Sequence, residues 1–394
     1  LVSVTTATLT VRRARVATFA VFGFNGLLFA SWSARLPAVA GIFQLTPGGL
    51  GLLLLMAGIG SVLGLPLAGG VAERFGTAGA IRLAGSVLGA AIAVVGLSLL
   101  FGWLIPCGVA LFCYGMGMGV WDVSQNIEGA EVERRGSKTI MPKFHAAFSG
   151  GAFLGALLGG LLARLGVPLW LHLFVVVAAG VVLILIATRY FLPAHADEDD
   201  GDQPRTSRWR AWTEPRTLLI GLVVLAAALT EGSANDWVAK ATVDSFRVSG
   251  SIGAIMFAVF VASMTIFRYA GSSLLDRFGR VAVLRGCLLA AIVGLLIFVF
   301  APSPYLAAIG AVFWGAGAAL GFPVGMSAGA DDRQHAAARV SVVSTIGYAA
   351  FLVGPPILGF IGNHVGVRHS LLLVAVVCVV SLLSAPAVRP PAGR

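Results

Sequence analysis

The chain carries one charged sentence twice. Gly69-Gly70-Val71-Ala72-Glu73-Arg74-Phe75-Gly76 is matched by Ser272-Ser273-Leu274-Leu275-Asp276-Arg277-Phe278-Gly279-Arg280, so that acid-Arg-Phe-Gly aligns at a shift of 203 residues and Arg82 falls on Arg285. Each copy joins two long apolar segments. A charged turn repeated at about half the chain length, within an apolar sequence, predicts two related membrane halves rather than one soluble core.

Composition agrees with the repeat. The 394 residues are 58% hydrophobic and 11% charged, with a mean hydropathy of +0.93. The 51 glycines suit membrane helices, whose backbones approach through small residues. A spanning helix needs about 20 mostly apolar residues. Twelve such segments are predicted, at 14–36, 50–72, 79–101, 103–128, 141–164, 168–192, 216–239, 250–273, 281–301, 304–328, 338–361 and 367–388. The first continues past Asn25 into Trp32 and Arg35 without a small-x-small site, which argues against a cleaved signal peptide.

A net charge of +10 invites a nucleic-acid reading, but its placement excludes one. With the N-terminus inside, all but five of the 27 Lys and Arg lie on or near the inner side; the five are Arg35, Arg164, Lys240, Arg247 and Arg368. This is the positive-inside pattern for an even number of spans, with both termini cytoplasmic. Cys107, Cys113, Cys287 and Cys378 sit in apolar segments without C-x-x-C spacing or a nearby His, so neither a disulfide framework nor a metal is expected.

The expected organisation is an N-terminal six-helix half (1–192), a cytoplasmic linker (193–215) and a C-terminal six-helix half (216–394). The linker sets Asp197-Glu198-Asp199-Asp200 beside the basic run from Arg205 to Arg210, a solvated composition. The repeat also extends beyond the charged turns. Trp32 corresponds to Trp237, Tyr114-Gly115-Met116-Gly117 to Trp314-Gly315-Ala316-Gly317, and Gly129-Ala130-Glu131 to Gly329-Ala330-Asp331 at a shift of 200.

The paired turns resemble the signature loop of the major facilitator superfamily, roughly G-x-x-x-D-R-x-G-R. The second copy keeps Asp276, Arg277, Gly279 and Arg280 but has Ser272 in the leading position. The first keeps Gly69, Arg74 and Gly76, has Glu73 for Asp, and has Thr77 where the trailing basic residue belongs. Asn25-Gly26 through Pro37, Phe144-His145-Ala146-Ala147-Phe148-Ser149, Glu231-Gly232-Ser233-Ala234-Asn235-Asp236-Trp237 and Gly321-Phe322-Pro323-Val324-Gly325-Met326 resemble the YbjJ-like branch of that superfamily. The resemblance implies an all-α membrane fold of two pseudo-symmetric six-helix bundles. It further implies alternating access driven by an ion gradient, with protons expected and no cofactor. A small-molecule solute and the lipid bilayer are the expected partners, the chain working as a monomer in the inner membrane. Segment 5, from Gly151 to Gly160, resembles the antiporter motif of drug–proton exchangers with Ala156 in place of proline. That resemblance implies glycines working where the halves meet, and favours export.

Ionisable groups inside spans are costly and mark function by default. Segment 4 holds Asp122, Gln125, Asn126 and Glu128, the first three on one helix face. Segment 7 holds Glu231, Asn235, Asp236 and Lys240, with Asp236 and Lys240 at pairing distance. Asp122, Glu128, Glu231 and Asp236 are the expected proton-coupling or substrate carboxylates. Asn25, Asn126 and Asn235 are expected to contact substrate, and Trp32, Trp121, Trp314 and Tyr348 to line its cavity. Arg35, followed by Leu36-Pro37, is expected to gate the outer mouth by pairing with Asp236. The resemblance to the superfamily makes segments 5 and 8 neighbours across the interface between the halves, and so implies that Arg268 meets His145 or the segment 4 acids. Glu73, Arg74, Asp276, Arg277 and Arg280 are the expected conformational latches.

Three rival classes place different demands on the sequence. An importer of a sugar or organic acid predicts tight binding of one polar solute. A lipid-modifying enzyme needs a nucleophile–base pair or a metal cluster, and the histidines at 145, 172, 195, 335, 364 and 369 are scattered. A receptor binds without moving solute. No G-x-x-x-x-G-K-[ST] loop is present, so direct drive by ATP is not expected.

Overall fold

The computed structural model describes residues 2–136, 140–192, 208–331 and 335–390. The described residues are helical with no strand. The helices are α1 (Val2–Ser33), α2 (Leu36–Ile42), α3 (Pro47–Phe101), α4 (Leu104–Gly136), α5 (Met141–Arg164), α6 (Leu169–Ala187), α7 (Pro215–Phe246), α8 (Gly250–Phe300), α9 (Pro304–Ala318), α10 (Gly321–Gly329), α11 (Ala336–Val365), α12 (Val367–Ser370) and α13 (Leu372–Ser384). They form two units. One holds α1 to α6 with the start of α8, and the other holds α7, the rest of α8 and α9 to α13. The expected linker lies outside the described residues as far as 207; its end is a 3-10 turn, Arg208–Thr213.

Eleven stretches among the described residues are long and apolar enough to span a bilayer, and the expected count of twelve is recovered in α3. At 1.5 Å per residue the 55 residues of α3 run about 80 Å, more than twice the hydrocarbon thickness. The helix breaks at Gly76, whose φ of 68° and ψ of 166° fall outside the helical range. In α8 the break falls at Gly279, with φ 74° and ψ 162°. The repeated acid-Arg-Phe-Gly turn is therefore a reversal built on a glycine that alone tolerates this backbone. Each arginine of the motif lies over the next ring, Arg74 5.5 Å from the Phe75 centroid and Arg277 5.2 Å from that of Phe278.

Local chemistry sets the helix ends. Thr46 caps α3 by accepting from the Gly49 amide at 3.2 Å, and Pro47 needs no donor at the first helical position. Ser303 and Pro304 do the same for α9. Gly102 takes the left-handed conformation that ends α3.

Glycines set the packing within the first unit. A Cβ on Gly26 would lie 1.9 Å from the Phe148 carbonyl oxygen, and one on Gly151 would lie 1.8 Å from that of Gly23. Gly155 meets Leu27 in the same way, so α1 and α5 touch backbone to backbone. Part of the glycine run read as an antiporter motif is thus spent inside one half, a correction to the expectation that it acts where the halves meet. Phe22, Phe144, Val132 and Leu192 close the core behind this contact.

Segment 10 spans Pro304–Gly329, in line with the expected 304–328, but it is broken: two helices form, α9 and α10, parted at Ala319 and Leu320. The cause is Pro323. It has no N–H to give the carbonyl four residues back, which is that of Ala319. In the other unit α4 runs unbroken.

Candidate functional site

The break in segment 10 is where the second unit gathers charge. Arg268 of α8 donates through Nε to the Ala319 carbonyl at 3.2 Å and through Nη2 to Glu231 Oε2 of α7 at 2.7 Å. The guanidinium fills the acceptor that Pro323 leaves vacant and meets the negative end of α9. Its remaining charge is matched by a carboxylate halfway along a spanning helix. Both side chains keep some exposure, 26% for Arg268 and 18% for Glu231, so the pair is accessible rather than sealed. The expected partners of Arg268 were His145 and the segment 4 acids. The structure corrects this: Glu231 and a freed carbonyl within its own unit take it.

Trp314, expected to line a cavity, braces the same place. It is fully buried, with Phe260 and Phe298 edge-on at 5.5 and 5.7 Å. Its indole N–H donates to the Thr230 carbonyl at 3.1 Å, fixing the backbone beside Glu231. Tyr348 is half-buried between the rings of Phe322 and Phe351. Asn235 and Asp236 are half-buried on α7. Lys240, at pairing distance from Asp236 along the helix, bonds Asp244 at 2.5 Å instead. Both acids stand four residues from Lys240, and the ammonium chooses the one nearer the helix end and water.

In the first unit the segment 4 face assembles as expected from its spacing. Asp122 Oδ1 accepts from Gln125 Nε2 at 3.1 Å and from Asn126 Nδ2 at 3.4 Å, and Asn126 also donates to the Asp122 carbonyl at 2.7 Å. Trp121, 1% exposed, donates to Gln125 Oε1 at 3.1 Å. This polar ladder contains one carboxylate and no cation. Trp32 and Asn25 of α1 are buried, and the Asn25 Oδ1 has no partner among the described residues. Arg35 donates Nη2 to the Val167 carbonyl at 3.1 Å. His145 stands edge-on to Phe22 at 5.5 Å.

Glu128, an expected proton-coupling or substrate carboxylate, ties three segments together. It is 1% exposed, and its two oxygens accept from the Thr77 hydroxyl at 2.6 Å and the Leu192 amide at 2.8 Å. Nearby, Glu131 pairs with Arg134 and Arg135. The second unit has the matching brace in Asp331, which sequence reasoning left unassigned. Asp331 accepts from Arg280 Nη1 at 2.7 Å and Arg216 Nη2 at 2.8 Å. Arg280 also reaches Ser327, and Arg216 the carbonyls of Ala387 and Arg389. Of the expected latches, Arg280 is thus held in a network. Glu73, Arg74, Asp276 and Arg277 are exposed, and neither acid has an ion-pair partner among the described residues. At the start of α7, Glu214 accepts from Arg339 Nε at 2.6 Å and from Thr217 at 2.9 Å. The Arg339 guanidinium holds this carboxyl below the usual glutamate range.

A helical membrane protein with paired units, a glycine-based reversal in each and an ion pair at a broken helix belongs to the class of secondary carriers. Residues 222–394 match the family model described as Major Facilitator Superfamily. An uncharacterized MFS-type transporter of Yersinia pestis is 33% identical over 378 residues, covering 94% of this chain and 93% of its own. The chain belongs to the major facilitator superfamily, and is a multi-pass membrane transporter rather than an enzyme. Two solved structures have the same fold. The nucleoside transporter NupG matches with a TM-score of 0.70 at 16% identity, over 94% of this chain and 98% of its own. A D-xylose-proton symporter matches with a TM-score of 0.69 at 16% identity, over 95% and 96%.

Proposed function

We propose that the chain moves a small polar solute by alternating access coupled to protons, with Glu231 as the coupling carboxylate. The observation that carries this reading is the Arg268–Glu231 pair at 2.7 Å beside the freed Ala319 carbonyl. A partly buried carboxylate held by one arginine has two stable arrangements. Ionised, it holds Arg268 and the α9 end to α7. Protonated, it gives up most of that attraction, and Arg268 turns to the carbonyl or to a solute acceptor. Asp122, in a ladder without a cation, is the second candidate for a proton or a solute donor. Arg35 serves as the outer gate, the motif turns as latches, and the basic faces lie toward the cytoplasm of an inner membrane.

Export was the direction expected from the glycine run of α5. Import of a sugar or organic acid is the second reading. It is favoured by the charged, hydrogen-bonding character of the Glu231 site, and the solved proteins of like fold include one named for proton symport of D-xylose.

The test uses purified protein in liposomes with an internal pH dye and a panel of sugars, nucleosides, organic acids and cationic drugs. One compound is expected to drive proton movement in wild type and not in Glu231→Gln. Protons moving with the solute identify symport, and protons moving against it identify antiport. Solute flux without proton movement in wild type overturns the coupling, and saturable binding without flux overturns transport in favour of a receptor.

A further inference from the structure

Outside the polar ladders, the first unit has a groove of about 800 Å³ between α1 and α6. We propose that it is a site for an anionic phospholipid, with the phosphate on Arg12 and Arg13 and an acyl chain lying along Val16, Val182 and Ile186.

The groove follows from how the two helices cross. A Cβ on Gly180 would sit 2.5 Å from the Phe24 ring, so α1 and α6 touch closely there. Toward the start of α1 they part. Ala17, Ala20 and Ala187, buried or half-buried, form the floor between them, and larger apolar side chains form the walls. Val16 and Val182 are 61% and 58% exposed, outward-facing apolar surface that a bilayer covers with lipid.

The mouth has the opposite character. Arg12 and Arg13 lie side by side on exposed turns of α1, with Tyr190 across from them. Neither arginine has a carboxylate partner among the described residues. Two exposed guanidiniums and a phenol present donors for a phosphodiester. From Arg13 to Ala20, and from Tyr190 back to Ala179, the walls climb about 10 to 16 Å, close to one leaflet's share of the hydrocarbon core. Charge at the mouth and an apolar trough of one-leaflet depth fit a lipid with a negative headgroup. A free phosphate would use the mouth and leave the trough empty. A second copy meeting this face about a two-fold axis would bring like charges together. The proposal is independent of the transport reading, since it concerns a face remote in sequence from Glu231 and Arg268.

The experiment is native mass spectrometry of the purified full chain titrated with dioleoyl phosphatidylglycerol or dioleoyl phosphatidylcholine. Phosphatidylglycerol is expected to bind on the order of tenfold more tightly. The Arg12→Ala/Arg13→Ala variant is expected to lose that preference while still binding phosphatidylcholine. The Arg12→Lys/Arg13→Lys variant keeps the charge and most of the preference. Val182→Trp fills the trough without touching the arginines, and is expected to lower occupancy by both lipids. Millimolar inorganic phosphate should leave bound phosphatidylglycerol in place. Equal affinity for the two lipids, a preference that survives in the double alanine variant, unchanged occupancy in Val182→Trp, or displacement by inorganic phosphate would each overturn the proposal.

Discussion

Glu128 and Asp331 stand 203 residues apart, the same shift as the repeated turn, and each accepts a hydrogen bond from the residue that follows a broken-helix glycine. Thr77, after Gly76, donates to Glu128 at 2.6 Å, and Arg280, after Gly279, donates to Asp331 at 2.7 Å. The two halves thus tie their reversal to the end of segment 4 or 10 with the same joint, one neutral and one charged. Aligning Glu131 with Asp331 at a shift of 200 misses this. Gly117 and Gly317 keep the shift of 200, so the three extra residues enter between Gly317 and Asp331, the stretch that holds the two-residue break between α9 and α10.

The joint predicts an asymmetry in stability. Asp331→Asn leaves Arg216 and Arg280 without their shared charge, whereas Glu128→Gln keeps an acceptor for one of two neutral donors. In detergent, Glu128→Gln is expected to cost about 1–2 kcal/mol, and Asp331→Asn about 2–4 kcal/mol, less than a sealed pair because its arginines are partly exposed. Thermal unfolding of the two variants measures the difference; equal shifts would contradict it.

The reversal glycines predict a backbone penalty that owes nothing to space. Gly279 has open room for a Cβ, yet its φ of 74° with ψ of 162° is closed to other residues. Gly279→Ala is expected to lose about 1–3 kcal/mol, and Gly286→Ala, also in open space but helical, is expected to be neutral or slightly stabilising. Melting curves of the two decide it.

Glu214 sets a pH dependence. Its carboxyl is held below the usual glutamate value of 4.5, first by the hydrogen bond from Arg339. A depressed folded pKa adds stability that is fully present above the unfolded value and is lost as pH falls through the folded one. Wild type is therefore expected to lose more stability than Arg339→Gln as pH is lowered from about 5.5 to 3.5. Parallel losses would show that the pair contributes nothing.

The Arg268–Glu231 pair predicts a coupling. Arg268→Gln leaves a carboxylate alone in mid-helix and should destabilise more than Arg268→Gln/Glu231→Gln. A double-mutant cycle is expected to give an interaction of about 1–3 kcal/mol. An interaction near zero would mean that the 2.7 Å contact carries no energy.

Much of this was legible in the sequence, for physical reasons. Twenty apolar residues between charged turns admit one membrane solution, and the repeat fixed the kinship of the halves. The Asp122–Gln125–Asn126 ladder followed from helical spacing alone. What was not legible depended on neighbours from other segments. Lys240 had acids four residues away on both sides, and only position relative to the helix end decided between them. The partners of Arg268 escape sequence spacing because Glu231 lies 37 residues away on α7 and the Ala319 carbonyl is free only because Pro323 breaks the helix. That signal was present as Gly321-Phe322-Pro323 in mid-segment. Glu128 stands out in the sequence as an ionisable group inside a span, but its two neutral donors come from α3 and the end of segment 6, beyond the reach of helical spacing.

The most direct test compares two assays of one variant. Once a solute is identified, Glu231→Gln is reconstituted and measured both for exchange of labelled against unlabelled solute and for accumulation driven by a pH gradient. If Glu231 carries the proton, the variant keeps exchange within a few-fold of wild type and loses gradient-driven accumulation. Accumulation at the wild-type rate in Glu231→Gln would contradict the coupling role and leave the Arg268–Glu231 pair as a structural bond.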